Sequence, residues 1–247
     1  MKTVYMIWKR EVRAFFGAFS CGFALAAFLA ACGCTFGVLL RGNEGSVLQI
    51  QSLWGVSVAL WLPVLSALLT TRLFSEERAT GSIEMLMSAP VREREVVLGK
   101  FLSALTMVVL AMLVTLTVPL WILPRMSPHM QGGVSFLAFA AALLILLLQA
   151  SVWCAAGTLI SLFFSNQTAA AVCSLLLCCA LPAAVYFAVM AWVPALRAEM
   201  AWMPLLVHVY DFSTGLFSAG FMMLYLATTL FFLFVCSKSL ACLRLID

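Results

Sequence analysis

The chain has 247 residues, of which 65% are hydrophobic and 10% are charged, and its formal net charge is +4. A mean hydropathy of +1.12, together with long apolar runs that lack charge, excludes an ordinary soluble globular domain. We therefore interpret the chain as an all-α polytopic membrane protein. Its positive charge is explained by membrane topology, so nucleic acid is not an expected partner.

Residues 1–15 predict a basic amphipathic helix that lies in the membrane interface. On a helical wheel its apolar face carries Val4, Tyr5, Trp8, Val12, Phe15 and Phe16. The opposite face carries Lys2, Lys9, Arg10 and Arg13, while Ile7 and Glu11 interrupt the pattern. The alternative is that the basic residues only anchor the N-terminus on the inner side of the membrane.

Six apolar runs follow, each close to the roughly 20 residues that a helix needs to cross the hydrocarbon. They cover residues 16–40, 53–71, 98–123, 134–164, 169–193 and 217–236. We therefore predict one six-helix transmembrane domain over residues 16–247. With the N-terminus inside, eleven Lys and Arg lie on the inner side and three on the outer side. This asymmetry predicts that both termini are cytoplasmic.

The connection between the second and third spans, residues 72–97, is a predicted cytoplasmic loop. Ten of the 24 charged residues of the chain fall in the 29 positions from Arg72 to Lys100. One interpretation is that these charges surround a contact with a partner. The alternative is that they only keep the loop in water.

A short helix is predicted inside this loop. Its start is marked by the capping types Thr80, Gly81 and Ser82, and its end by Pro90. The helical spacing places Ile83, Leu86 and Met87 on one face. Such an apolar stripe needs either the ends of the adjacent spans or a groove on a partner to bury it.

The last outer connection, residues 194–216, is long and apolar. It predicts a re-entrant segment that returns to membrane depth before the sixth span, where irregular backbone must be packed against protein. His208, Tyr210 and Asp211 in this segment are candidates for an outer gate. The alternative is that His208 and Asp211 stay solvated in the headgroup layer.

The charged loop carries a family resemblance. Glu77, Arg78, Gly81, Ser82, Ile83, Glu84, Leu86, Ser88 and Pro90, followed by VVLGKFLSAL, resemble the ER..G(S/T)(L/I)E.L...P.....(L/V)GK signature of ABC-2-type permeases. Within that family the chain resembles the branch with gliding-motility and nitrous-oxide-reductase-maturation permeases. The family layout also matches: an N-terminal elbow helix, six spans, this loop and a re-entrant segment before the last span.

The resemblance implies that the short helix is a coupling helix seated on a nucleotide-binding ATPase subunit. The implied partner-binding residues are Glu76, Glu77, Arg78, Gly81, Ile83, Glu84, Leu86, Met87 and Pro90. ATP and magnesium are then held by the ATPase subunit, and this chain needs no cofactor of its own. A second permease copy or a paralogue, an extracytoplasmic accessory protein and membrane lipid are further expected partners.

The function implied is that of a permease subunit of an ATP-driven exporter in the bacterial cytoplasmic (inner) membrane, with a lipidic or amphipathic substrate. The alternative is a membrane anchor or mechanotransmission subunit that transports no solute. We do not expect an enzyme, because the sequence has no G-x-x-x-x-G-K-[ST] motif, and the spans lack convergent ionisable side chains. The nine cysteines predict packing residues, with no metal site.

Overall fold

The computed structural model describes residues 2–41, 47–82, 91–126, 136–180, 208–209, 211–212 and 219–246. These ranges hold eight α-helices of eight residues or more: α1 (Lys2–Gly17), α2 (Phe19–Arg41), α3 (Val47–Thr70), α4 (Arg72–Ala79), α5 (Glu93–Met126), α6 (Phe136–Phe163), α7 (Gln167–Leu175) and α8 (Ala219–Ile246). A π-helical stretch, Leu176–Ala180, follows α7. The described ranges contain no strand, which confirms the all-α prediction for that part of the chain.

Five helical segments are long and apolar enough to cross a membrane, so the predicted multi-pass architecture is confirmed. They are Phe19–Arg41, Ile50–Ala79, Glu93–Trp121, Phe139–Phe163 and Ala219–Leu243. The fifth predicted run begins in α7 and its π-helical extension, and residues 181–193 of that run lie outside the described residues. Most of the predicted re-entrant segment, residues 194–216, lies outside them as well.

Helices α3 and α6 form the buried centre of the bundle, whereas α2 and α8 are mostly exposed on its surface. Helices α3 and α6 approach each other closely because Gly157 has no side chain. A Cβ atom on Gly157 would lie only 2.9 Å from Thr70 Cβ. The Thr70 hydroxyl donates to the carbonyl of Ser66 at 2.7 Å. Buried hydroxyl groups on α3 are therefore satisfied within their own helix, which lets α6 pack directly against it.

Helix α1 packs along α5, a contact that the sequence did not predict. Phe15 is buried and Ile7 packs against the core, while Glu11 is largely buried. Tyr5 and Phe16, which we predicted on the apolar face, are 57% and 66% exposed. On the same predicted face, Val4, Trp8 and Val12 are half-buried. Ile7 and Glu11 are contact residues of α1. That the exposed apolar residues of α1 lie in the membrane interface stays a prediction.

The second span does not end where the predicted loop begins. Helix α4 continues α3 after a single turn residue, Thr71, so that residues 72–79 are helical. Helix α5 starts at Glu93 with two acidic residues in its first turn, where the positive end of the helix dipole favours them. The charged region thus consists of two helix ends joined by residues 83–90, which lie outside the described residues.

Candidate functional site

The first turns of α5 meet α1 and α4 around one buried lysine. The Lys100 side chain is 1% exposed, and its Nζ lies 2.9 Å from Glu77 Oε1 and 3.4 Å from Glu11 Oε1. Nζ also donates to the main-chain carbonyl of Leu73 and lies 4.9 Å from the centroid of the Phe74 ring. A buried ammonium needs such partners, because an unpaired charge in this position would be costly.

Arg10, on the exposed side of α1, contacts the same two carboxylates as Lys100. Its Nη2 lies 2.7 Å from Glu11 Oε1 and 3.0 Å from Glu77 Oε1. The hydrogen bond to Glu11 raises the pKa of Arg10, and burial opposes it. We call Arg10, Glu11, Glu77 and Lys100 the inner charge cluster. Two cations face two carboxylates in it, so its formal charge is zero and three helices are joined without an uncompensated charge.

Glu76 and Glu77 are adjacent in sequence but have different surroundings. Glu76 pairs with Arg72 one turn earlier, at 3.0 Å between Arg72 Nη2 and Glu76 Oε2, and its side chain is 53% exposed. Glu77 faces the inner charge cluster and its side chain is 18% exposed. Neighbouring helical positions point about 100° apart, which explains the difference. Of these two predicted partner-binding acids, Glu76 presents the more accessible carboxylate.

Arg78 reaches a different helix. Its Nη1 donates at 2.7 Å to the main-chain carbonyl of Leu162, in the last turn of α6. Carbonyl groups in the last turn of a helix have no partner within the helix, so this guanidinium acts as a cap on α6. Arg78 was predicted to contact a partner subunit, and the structure gives it this intramolecular contact.

Thr80 and Gly81 close α4. Gly81 has a φ of +70°, a conformation that glycine adopts without steric cost, and its N–H donates to the Arg78 carbonyl. The Thr80 hydroxyl donates to the carbonyl of Glu76 at 3.0 Å. Two of the three residues predicted to begin a new helix therefore end the preceding one. The other predicted coupling residues, Ile83, Glu84, Leu86, Met87 and Pro90, lie outside the described residues.

The glycine and lysine of the LGK sequence have separate structural roles. Lys100 is held in the inner charge cluster, whereas Gly99 allows α1 to approach α5. A Cβ atom on Gly99 would lie 2.9 Å from Ile7 Cγ2 and 3.3 Å from the main-chain oxygen of Val4. Sequence reasoning did not identify Glu11 and Lys100 as a pair. The one signal that could have found it was the single acid that interrupts the apolar face of α1.

His208, a candidate for the outer gate, is bound to α8. Its Nδ1 lies 2.8 Å from Tyr225 Oη, and its ring lies 3.8 Å from that of Phe221 between centroids. Gln149 on α6 donates from Nε2 to the same Tyr225 oxygen at 3.4 Å. Burial lowers the pKa of His208, and the charge of Asp211 acts in the opposite direction. Tyr210, the third gate candidate, lies outside the described residues.

Gln149 forms a hydrogen bond between α6 and α8. A second polar contact joins the same two helices, because Ser151 Oγ lies 2.9 Å from Thr229 Oγ1. Tyr225 was not identified from the sequence, since a tyrosine in an apolar run is typical of ordinary packing.

The cysteines do not converge on a metal site in the described residues. All nine are free thiols, and no group of three or more His, Cys, Asp or Glu side chains in the described ranges could hold a metal ion. Cys32 is buried and Cys34 is exposed, because positions two apart on a helix point to opposite sides of α2.

The bundle of apolar helices, with a buried ionic junction at one end, is that of a multi-pass membrane protein. A family model described as "ABC-2 family transporter protein" matches residues 15–207. The chain therefore belongs to the ABC-2 transporter family, as predicted. Members are membrane components of ABC transporters, generally not catalytic themselves, and typically work with a nucleotide-binding ATPase subunit. A search of the curated proteins found no match.

Proposed function

We propose that this chain is the permease subunit of an ATP-driven exporter, and that residues 72–97 couple it to a separate ATPase subunit. Membership in the ABC-2 family supports a permease. The inner charge cluster carries the coupling part of the proposal. It fixes the base of the loop, through Glu77, to α1 and α5, so that a displacement of the loop is transmitted to two further helices.

The proposed coupling helix follows α4 directly. Ile83, Leu86 and Met87 are its buried contact residues, and Glu84 lies in its first turn. The accessible carboxylate of Glu76 contributes an ionic contact at the edge, which we expect to be worth much less than burial of an apolar side chain. Glu77 and Arg78 have a different role, because they hold the structure that carries the helix.

ATP binding in the partner favours one conformation of the permease only through differential affinity. Moving an equilibrium from 1:99 to 99:1 requires about 5.5 kcal/mol. In this proposal that free energy enters through the coupling helix and reaches α1, α4 and α5 together. A pathway for a solute needs two facing sets of spans, so the assembly contains a second copy of this chain or a paralogue, with two ATPase subunits.

The proposed cargo is lipidic or amphipathic. A cavity of about 180 Å³ between α2, α3 and α5 supports this, because its walls are mostly apolar with a few hydroxyl groups. Its polar side chains include Ser57, Thr115 and Thr117, and the buried Trp54 also lines it. The membrane is proposed to be the bacterial inner membrane, with both termini cytoplasmic.

The first test is co-purification of the ATPase subunit from detergent extract. We expect that Leu86→Asp, and separately Ile83→Asp, removes the ATPase, because each places a charge in the proposed buried contact. The matched control is Met85→Asp, which introduces the same charge on the opposite face of the same predicted helix and should keep the ATPase bound. All three variants must elute as a monodisperse membrane protein.

Two outcomes would contradict the proposal. The first is that no ATPase co-purifies with the wild-type chain. The second is that Leu86→Asp and Met85→Asp behave alike, which would mean that the apolar face makes no contact. Export itself is tested by reconstituting the complex in vesicles and following ATP-dependent movement of a fluorescent phospholipid. A complex that hydrolyses ATP without moving any solute supports the mechanotransmission alternative.

A further inference from the structure

A second cavity, of about 350 Å³, lies between α2, the α3–α4 junction and α7. Its polar lining residues include Ser20, Thr71, Arg72, Gln167 and Thr168. Its apolar lining includes Phe23, Ala24, Ala27, Leu68, Leu69 and Ala171. The volume falls in the range typical of small-molecule sites. None of these residues belongs to the inner charge cluster.

The polar and apolar lining residues lie at different depths. Ser20, Arg72 and Gln167 are each in the first turn of their helix, at the end of the bundle that carries the inner charge cluster. Along α2, a rise of about 1.5 Å per residue puts Ala27 about 10 Å further into the membrane than Ser20. Leu68 and Ala171 are also displaced toward the membrane interior, by one turn. The cavity is therefore polar at the headgroup level and apolar beneath it.

Arg72 supplies the positive charge at the mouth. Its Nη1 donates to Ser20 Oγ at 3.0 Å, and its Nε and Nη2 contact the two oxygens of Glu76. A guanidinium carries five N–H donors, and these four contacts use four at most, so at least one donor is left for another acceptor. The contacts also fix the guanidinium in place, which lowers the entropic cost of binding a ligand oxygen.

We propose that this cavity binds one glycerophospholipid from the inner leaflet. The phosphate accepts hydrogen bonds from Arg72 and Gln167, and one acyl chain lies along Ala24, Ala27 and Leu68. Phosphate oxygens are acceptors that match the donor geometry of a guanidinium, and the depth order of the lining matches the order of headgroup and chain. This site is separate from the proposed export function, since lipid binding requires neither ATP nor the partner subunit.

The test is native mass spectrometry of the purified wild-type chain in detergent. Dioleoyl-phosphatidylethanolamine, dioleoyl-phosphatidylglycerol and dioleoylglycerol are added separately at equal concentrations. We expect one retained molecule per chain with either phospholipid. We expect no retained dioleoylglycerol, which has the same chains but no phosphate.

Two matched pairs of variants locate the site. Ala27→Trp fills the cavity, whereas Ala26→Trp places the same bulk at the next position of α2, outside the lining. Arg72→Gln removes the guanidinium, whereas Glu76→Gln breaks the same ion pair and leaves the guanidinium in place. We expect Ala27→Trp and Arg72→Gln each to weaken retention about tenfold, as for the loss of one charge-assisted hydrogen bond or of comparable packing. Ala26→Trp should retain lipid as the wild type does. Glu76→Gln should weaken retention less than Arg72→Gln, because the guanidinium keeps its charge and its bond to Ser20.

The proposal is overturned if dioleoylglycerol is retained as well as the phospholipids, because phosphate recognition would then be absent. It is also overturned if Ala27→Trp and Ala26→Trp have equal effects, which would indicate lipid that surrounds the whole bundle. Each variant is checked for an unchanged thermal midpoint in detergent. If Arg72→Gln lowers that midpoint, the two tryptophan variants and the dioleoylglycerol comparison still decide the outcome.

Discussion

Lys100 stabilises the junction of α1, α4 and α5 at the level of a single side chain. It is the most buried member of the inner charge cluster, and its ammonium is shared by carboxylates from two helices. Replacing one partner of a buried ion pair costs much more than the pair contributes net, because the remaining charges stay buried without compensation. Removal of Lys100 should therefore lower the stability of the chain by more than the ion pairs contribute to it.

We predict that Lys100→Met lowers the stability of the chain by about 3 kcal/mol, since Glu11 and Glu77 would be left with Arg10 as their one shared cation in the cluster. Glu77→Gln should cost less, because Lys100 keeps Glu11. The measurement is the thermal midpoint in detergent. Lys238→Met is the control, as Lys238 is exposed near the end of α8. Equal midpoints for Lys100→Met and Lys238→Met would show that the cluster contributes no stability.

His208 gives the outer side a dependence on pH. Burial holds the pKa of His208 below its ordinary value of 6.5, so the folded chain favours the neutral ring beside Tyr225. The resulting stabilisation is present above about pH 6.5 and is lost as the pH falls through the lower folded-state pKa. We therefore predict that the thermal midpoint falls as the pH is lowered from about 7.5 to about 5.

The contribution of His208 to that fall is isolated by His208→Gln, which cannot titrate and can still reach the Tyr225 hydroxyl. This variant should show a smaller fall in midpoint over the same pH range. If His208→Gln keeps the full pH dependence, acid acts through other groups and the pKa of His208 plays no part.

At the scale of helices, the contact between α1 and α5 depends on a glycine. Ala normally favours a helix over Gly by about 1 kcal/mol, and Gly37 should follow that rule, because a Cβ atom there would meet no neighbouring atom within 4 Å. Gly99 should not, because its Cβ would meet Ile7 and the backbone of Val4. The same substitution is thus expected to have opposite effects on two helices.

We predict that Gly99→Ala destabilises the chain by about 1–3 kcal/mol through overpacking, whereas Gly37→Ala is neutral or stabilising. Thermal midpoints in detergent measure both. The double variant Gly99→Ala with Ile7→Ala should recover part of the loss, because removing the Ile7 methyl groups makes room for the new one. A double variant that is simply the sum of the two single losses would show that these residues do not touch.

Helix α1 also shows where periodicity fails. The sequence predicted an amphipathic helix, and the structure has one over Lys2–Gly17. Its contact with α5 was not predicted, because an acid on an apolar face is normally an interruption of the pattern. Glu11 is buried there only because Lys100 lies opposite, 89 residues later in the chain. No pattern within a single helix contains that information.

For the whole molecule, the apolar runs were sufficient to predict a multi-pass helical bundle, and the charged signature was sufficient to predict the family. The contacts between distant segments were not predictable in the same way. Glu77 and Arg78 illustrate this, since as charges in a polar loop they predicted contact with a partner. The structure shows that α4 extends the second span, so these two side chains reach α5 and α6 before any partner is present.

The contact from Arg78 to Leu162 has a mechanical consequence. If α4 moved away from α6, the last turn of α6 would lose its donor at a partly buried position, and the exposed carbonyl would raise the energy of that intermediate. The movement that costs less free energy keeps this hydrogen bond, so that α4 and the last turn of α6 move together as one rigid unit. A displacement of α4 would then carry the last turn of α6 with it.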